Sequence, residues 1–66
     1  MATTAKERVQ AEVKDLDEKI YKAMDFVVKQ KDKLNDAEMM LLNLQIAAMK
    51  KYKEILKARL SIWREL

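Results

Sequence analysis

The chain contains no cysteine and no histidine. Without cysteine there is no disulfide, no thiol nucleophile and no thiolate ligand. Without histidine as well, an ordinary zinc site lacks both of its preferred ligand types, and neither a serine nor a cysteine triad can be assembled. Glycine and proline are also absent, which excludes a glycine-rich phosphate loop and leaves no strong helix breaker anywhere. Long apolar runs are missing too. The most apolar stretch, residues 39–49, is interrupted by Asn43 and Gln45 and falls well short of the ~20 residues that span a bilayer. The start, Met1-Ala2-Thr3-Thr4-Ala5-Lys6, has no apolar core of a secretory signal behind it. These absences predict a non-enzymatic, cytoplasmic protein that binds no metal, no cofactor and no membrane. The carboxylates Asp15, Asp17 and Glu18 are close in sequence but point in different directions on a helix, so they form no acid–base pair.

Half of the 66 residues are hydrophobic and 38% are charged. Alanine, leucine, lysine, glutamate and methionine dominate, all good helix formers, and the expected class is all-α. A chain this short buries little surface by itself, and with disulfides and metals excluded the remaining support is oligomerisation. The net charge of +3 is uneven. Residues 1–49 carry eight Lys/Arg against nine Asp/Glu, whereas residues 50–66 carry six against two. The basic end can attract anions, or it can simply be a solvated helix face.

Thr4 followed by Glu7 reads as a capping box that opens a first helix. Val9, Val13, Leu16, Ile20, Ala23 and Val27 then recur at spacings of 4, 3, 4, 3 and 4, a narrow heptad seam. The polar segment 29–33 ends this pattern. Asn35 with Glu38 forms a second capping box, flanked by Leu34 and Met39 at the positions of a hydrophobic staple. The expected organisation is one domain over residues 1–66, with a first helix over about 5–31, a turn at about 32–35 and a second helix over about 36–64. A competing arrangement is a single continuous helix, because Val13, Ile20, Val27, Leu34, Leu41, Ala48, Ile55 and Ile62 stand seven apart. The companion line becomes patchy at Gln30 and Lys51, which favours an antiparallel two-helix hairpin.

The second helix is apolar over far more than one stripe. The arc from Met39 and Ile46 through Leu42, Met49, Leu56 and Trp63 continues to Tyr52, Leu41, Ala48, Ile55 and Ile62 and spans more than about 200°, against about 100° for a helix facing one core. The first helix cannot cover that width, so a helical homo-oligomer is expected. Leu42, Met49, Leu56, Trp63, Ile55 and Phe26 are its candidate interface residues. Candidate anion contacts are Arg8 and Lys19, three helical turns apart on the flank that also carries Glu12 and Phe26. Both can instead pair locally, Arg8 with Glu12 and Lys19 with Asp15. Tyr52 and Arg59, seven apart, can stack a base and hold a phosphate, or can pack and snorkel at an interface. The residue 50–66 end is a weaker candidate for long nucleic acid or a membrane surface, because Ile55, Leu56, Leu60 and Trp63 belong to the packing arc and Glu54 and Glu65 dilute the charge.

Arg8-Val9, Glu12, Leu16, Lys19-Ile20 and Phe26 in the first helix form a dispersed pattern with Leu41-Leu42, Gln45, Met49, Tyr52, Leu56 and Arg59-Leu60 in the second. Over about residues 7–62 this resembles the helical-hairpin domain of phage anti-CBASS cyclic-oligonucleotide sponges and their small hairpin relatives. The resemblance implies hairpins assembled into an oligomer, which hold cyclic di- or trinucleotides between protomers and so starve a host immune effector of its activator. It also implies the host cytoplasm as location. Lys19 matches the lysine of the Leu-x-x-Lys-Ile segment and is the first expected phosphate contact, with Arg8 beside it. In such relatives an aromatic near the start of the first helix stacks a base. Thr4 stands at that place here, leaving Tyr21 or Tyr52 as substitutes.

Overall fold

The computed structural model describes residues 4–64. Met1-Ala2-Thr3 and Glu65, weighed in the sequence, lie outside the described residues. Two helices, α1 (Ala5–Lys29) and α2 (Asp36–Ser61), pack as an antiparallel hairpin about 50 × 23 × 13 Å in extent. No strand occurs among the described residues.

The helix starts follow from their caps. Thr4 is extended (φ −72°, ψ 160°), and its Oγ1 accepts from the Glu7 amide at 3.1 Å. At α2 the box is reciprocal. Asn35 Oδ1 accepts from the Glu38 amide at 2.8 Å, and the Asn35 amide donates to Glu38 Oε1 at 3.3 Å. Two otherwise unpaired amides are thereby satisfied at one end. Leu34 and Met39, on either side of that cap, are half-buried.

The helices stop earlier than the sequence predicts. α1 ends at Lys29 rather than near residue 31: Gln30 is its C-cap, with its amide on the Phe26 carbonyl (2.9 Å), and the Lys33 amide turns back three residues to the Gln30 carbonyl (2.9 Å) instead of four to that of Lys29. α2 ends at Ser61 rather than near residue 64. There Ser61 Oγ donates to the Ala58 carbonyl at 2.6 Å and the Trp63 amide to the Leu60 carbonyl at 3.3 Å, a tightened last turn. The chain reverses with no positive φ among the described residues, which is how a hairpin forms without glycine. The same turn rules out the single continuous helix.

Val9, Leu16 and Leu56 form the core, with Val13, Met49, Leu60 and Trp63 packed around it, and Ile20 and Ile46 are buried nearer the turn. On α1 the buried and half-buried apolar positions run Val9, Val13, Leu16, Ile20, Ala23 and Val27, the predicted seam, and Lys6 is half-buried one step before it. On α2 they run Met39, Leu42, Ile46, Met49, Lys53, Leu56, Leu60 and Trp63, a heptad line with one lysine in it. Leu56 is 1% exposed.

α2 carries a second heptad line that faces away from α1. Ala37, Leu41, Leu44, Ala48, Lys51, Ile55, Ala58 and Ile62 stand at spacings of 4 and 3 and are all exposed. We call this the outer stripe. Its centre lies about 150° around the helix from the inner seam, taking 3.6 residues per turn. Leu41 is 62% exposed, Leu44 59%, Ile55 50% and Ile62 77%.

Candidate functional site

Two cross-helix ties define the flanks of the hairpin. On one flank the Tyr52 hydroxyl donates to Glu12 Oε1 at 2.8 Å. On the other the Lys53 ammonium meets Asp17 Oδ1 at 2.8 Å. Because residues four and seven apart share a helix face, each tie sorts its neighbours. Arg8, Lys19 and Phe26 fall on the Glu12 flank of α1, and Gln45 and Arg59 on the Tyr52 flank of α2. Tyr21 falls with Asp17 on the opposite flank.

Four of the five expected ligand contacts, Lys19, Arg8, Tyr52 and Arg59, are therefore brought to one exposed face, and Tyr21 is not. The Tyr52 ring joins the helices at mid-length. Its phenol is pushed above the ordinary value of 10.0, first by donating to Glu12, then by desolvation and by the charge of Glu12, while the Arg59 cation opposes this. Arg59 thus lies within electrostatic reach of Tyr52. Lys19 makes no ion pair among the described residues, so the local pairing with Asp15 that the sequence allows is not formed. Arg8 does have an interaction partner.

Of the expected interface residues, Leu42, Met49, Leu56 and Trp63 sit on the seam toward α1, with Leu56 closed off inside the single hairpin. Ile55 and Phe26 (48% exposed) are accessible. Leu41, Leu44 and Ile62 are more exposed than any of the four seam residues.

Two hollows were not foreseen. One, about 350 Å³, lies on the flank opposite Lys19, between Met24, Val27 and Val28 of α1 and Asn43, Ala47 and Lys50 of α2. Its lining is largely apolar and it includes none of the expected contacts. The other, about 470 Å³, lies at the open end beside Arg59, Ile62, Trp63 and Arg64. The Lys53 ammonium is held above its usual value of 10.5, chiefly by the Asp17 carboxylate, which outweighs desolvation. Among the described residues no cluster of acidic side chains could hold a metal ion, and no helix is long and apolar enough to cross a membrane.

The fold is thus a two-helix hairpin with a second, uncovered apolar seam beside an exposed face that carries cations and one aromatic. Residues 3–62 match the model of the Sequestin family, and the chain belongs to that family. The family name fits a sequestering function. No curated protein and no solved structure matches the chain.

Proposed function

We propose that the protein is a non-catalytic phage counter-defence sponge. It assembles with copies of itself in the cytoplasm of the host cell and holds cyclic di- or trinucleotide messengers in pockets between protomers. The host immune effector is thereby denied its activator. One observation carries this reading furthest. In a chain of the Sequestin family, Lys19, Arg8, Tyr52 and Arg59 share one exposed face that borders the outer stripe. Lys19 supplies a mobile point charge and Arg59 a planar fork for phosphate, while the Tyr52 ring offers a surface for a base. A symmetric assembly presents each of these groups more than once to a ligand that itself has several phosphates. Sequestration acts by mass action and requires no turnover.

The experiment is a thermal melt of the assembled protein with a panel of cyclic di- and trinucleotides. At least one should raise the melting temperature, since a ligand at 100 times its Kd adds about 2.7 kcal/mol. Lys19→Ala should remove the shift while leaving the assembly mass unchanged, and a fall in mass would make Lys19 structural. A second reading, a helical interaction module with no nucleotide ligand, is favoured by the Glu12–Tyr52 bond, which already occupies the aromatic hydroxyl. Absence of any shift across the panel selects that second reading.

A further inference from the structure

We infer that a second copy of this chain seats on the outer stripe of α2, with the two α2 helices antiparallel and related by a two-fold axis near residues 49 and 50. The stripe is a heptad line running the length of α2, about 39 Å at 1.5 Å per residue. A repeat of this period is the pattern that another helix fills, residue into gap. A second α2 brings the same pattern with it.

Charge fixes the direction. α2 has Asp36 and Glu38 in its first turn and Arg59 in its last, with Lys57 just before it. Antiparallel pairing sets each acidic end against a basic end, and opposes the two helix dipoles favourably. Parallel pairing would stack like charges at both ends. Size fixes the register. With the axis between residues 49 and 50, Leu41 meets Ala58 of the second copy, Ala37 meets Ile62 and Leu44 meets Ile55, so that two of the three pairs set a large side chain against a small one. On the flank of the stripe, Glu38 then falls near Arg59 of the second copy and Gln45 near its Tyr52. Lys51 enters the seam next to the axis, the position at which a single polar residue selects register and partner number at some cost in stability.

This pairing also completes a site. The two stripes of α2 are about 150° apart on the side that carries Tyr52 and about 210° apart on the other, so the four helices form a trough open on the Tyr52 side. Lys19 and Tyr52 of both copies lie along that trough, close to the axis along the helix direction. The pairing shares the self-association of the function proposed above but requires no ligand, and its test reads covalent linkage and mass alone.

The chain lacks cysteine, so introduced thiols report without interference. Leu41→Cys and Ala58→Cys chains are mixed and oxidised mildly, and the linked products are identified by mass spectrometry. A disulfide needs Cα atoms within about 7 Å. Antiparallel pairing yields chiefly the mixed 41–58 product. Predominance of 41–41 and 58–58 products, or no linkage, overturns the proposal. Sedimentation equilibrium at micromolar concentration should give the unmodified protein an even multiple of its 7.8 kDa chain mass. Ile55→Glu should reduce that mass to a single chain, and Val28→Glu, on the opposite flank, should not. A single-chain mass for the unmodified protein overturns the proposal. Should Ile55→Glu abolish helicity as well, the cysteine products alone decide.

Discussion

The two helices are matched in length, 25 and 26 residues, and both are capped, yet they use their surfaces differently. α1 turns one seam inward, and its large exposed apolar residues, Tyr21, Met24, Phe26 and Val28, are confined to its last third. α2 exposes Met40, Leu41, Leu44, Tyr52, Ile55 and Ile62 from one end to the other while also burying Ile46 and Leu56. One partner satisfies α1. α2 has the surface of a helix placed between two partners. The hairpin is therefore the smaller unit of a larger packing scheme, and α2 is the element through which the scheme extends.

The largest effect expected from this contrast separates the two faces of α2. Leu56→Ala removes the most buried side chain of the core and should cost about 2–5 kcal/mol. For a chain this small that abolishes a stable hairpin, read as loss of helical signal on heating or in urea. Leu44→Ala, on the outer stripe, should leave the helical signal of a dilute sample nearly unchanged and alter only its dependence on concentration. Equal losses at high dilution would break the distinction between inner and outer faces.

Next in size is the pair of lysines, one in each seam of α2. Lys53 is half-buried in the inner seam and neutralised by Asp17. Lys51 lies in the outer stripe and makes no ion pair among the described residues. Lys51→Leu should tighten self-association on the order of tenfold, by replacing a charge at the centre of the stripe with an apolar side chain. Lys53→Leu should leave association unaltered, since it faces α1. Sedimentation over a concentration series separates the two, and an unchanged constant for Lys51→Leu would place the contact between copies elsewhere.

Much of this was legible before the structure. The α1 seam, both caps and the turn near Asn35 are local patterns, set by spacing and by side chains that bond their own backbone, and sequence carries such information directly. The excess apolar width of α2 was legible as well, but not its division into two lines, because that depends on where α1 sits around it. For the same reason Leu42, Met49, Leu56 and Trp63 read as an interface between copies, whereas the hairpin places them on its own seam toward α1. The cross-helix ties Glu12–Tyr52 and Asp17–Lys53 could not be read at all. They join residues 40 and 36 positions apart, and their pairing is set by the register in which the seams mesh. Glu12 illustrates the difference. Sequence spacing offers it Arg8, four residues away, whereas the hairpin gives it a phenol from the other helix.

The caps offer a smaller and more local test of the comparison. Asn35 exchanges two bonds with Glu38, a full capping box, whereas at α1 the Thr4 side chain accepts from the Glu7 amide with no return bond from Glu7 among the described residues, half of the box the sequence suggests. Asn35→Ala should cost about 1 kcal/mol and Thr4→Ala roughly half of that. The Asn35 change should also lower cooperativity, because the cap fixes the turn that holds α1 against α2. Equal losses would mean that the turn adds nothing to the cap, and that both helices end independently of their packing.

The smallest effect lies in the tie that crosses the candidate face. The Tyr52 phenol is raised above 10.0, with its hydrogen bond to Glu12 as the main cause. A raised folded value means that the protonated phenol is favoured in the hairpin. Its contribution to stability is therefore fully present below pH 10 and is lost as the pH climbs through the higher folded value. An ultraviolet titration of tyrosinate should show Tyr52 ionising late, and Glu12→Ala should move that step to lower pH. Arg59→Ala should move it higher still, because the cation opposes the rise. A titration unmoved by either change would mean that the Tyr52–Glu12 bond is not held in solution. The ring would then be free to turn toward a ligand, and the face would be assembled by binding rather than before it.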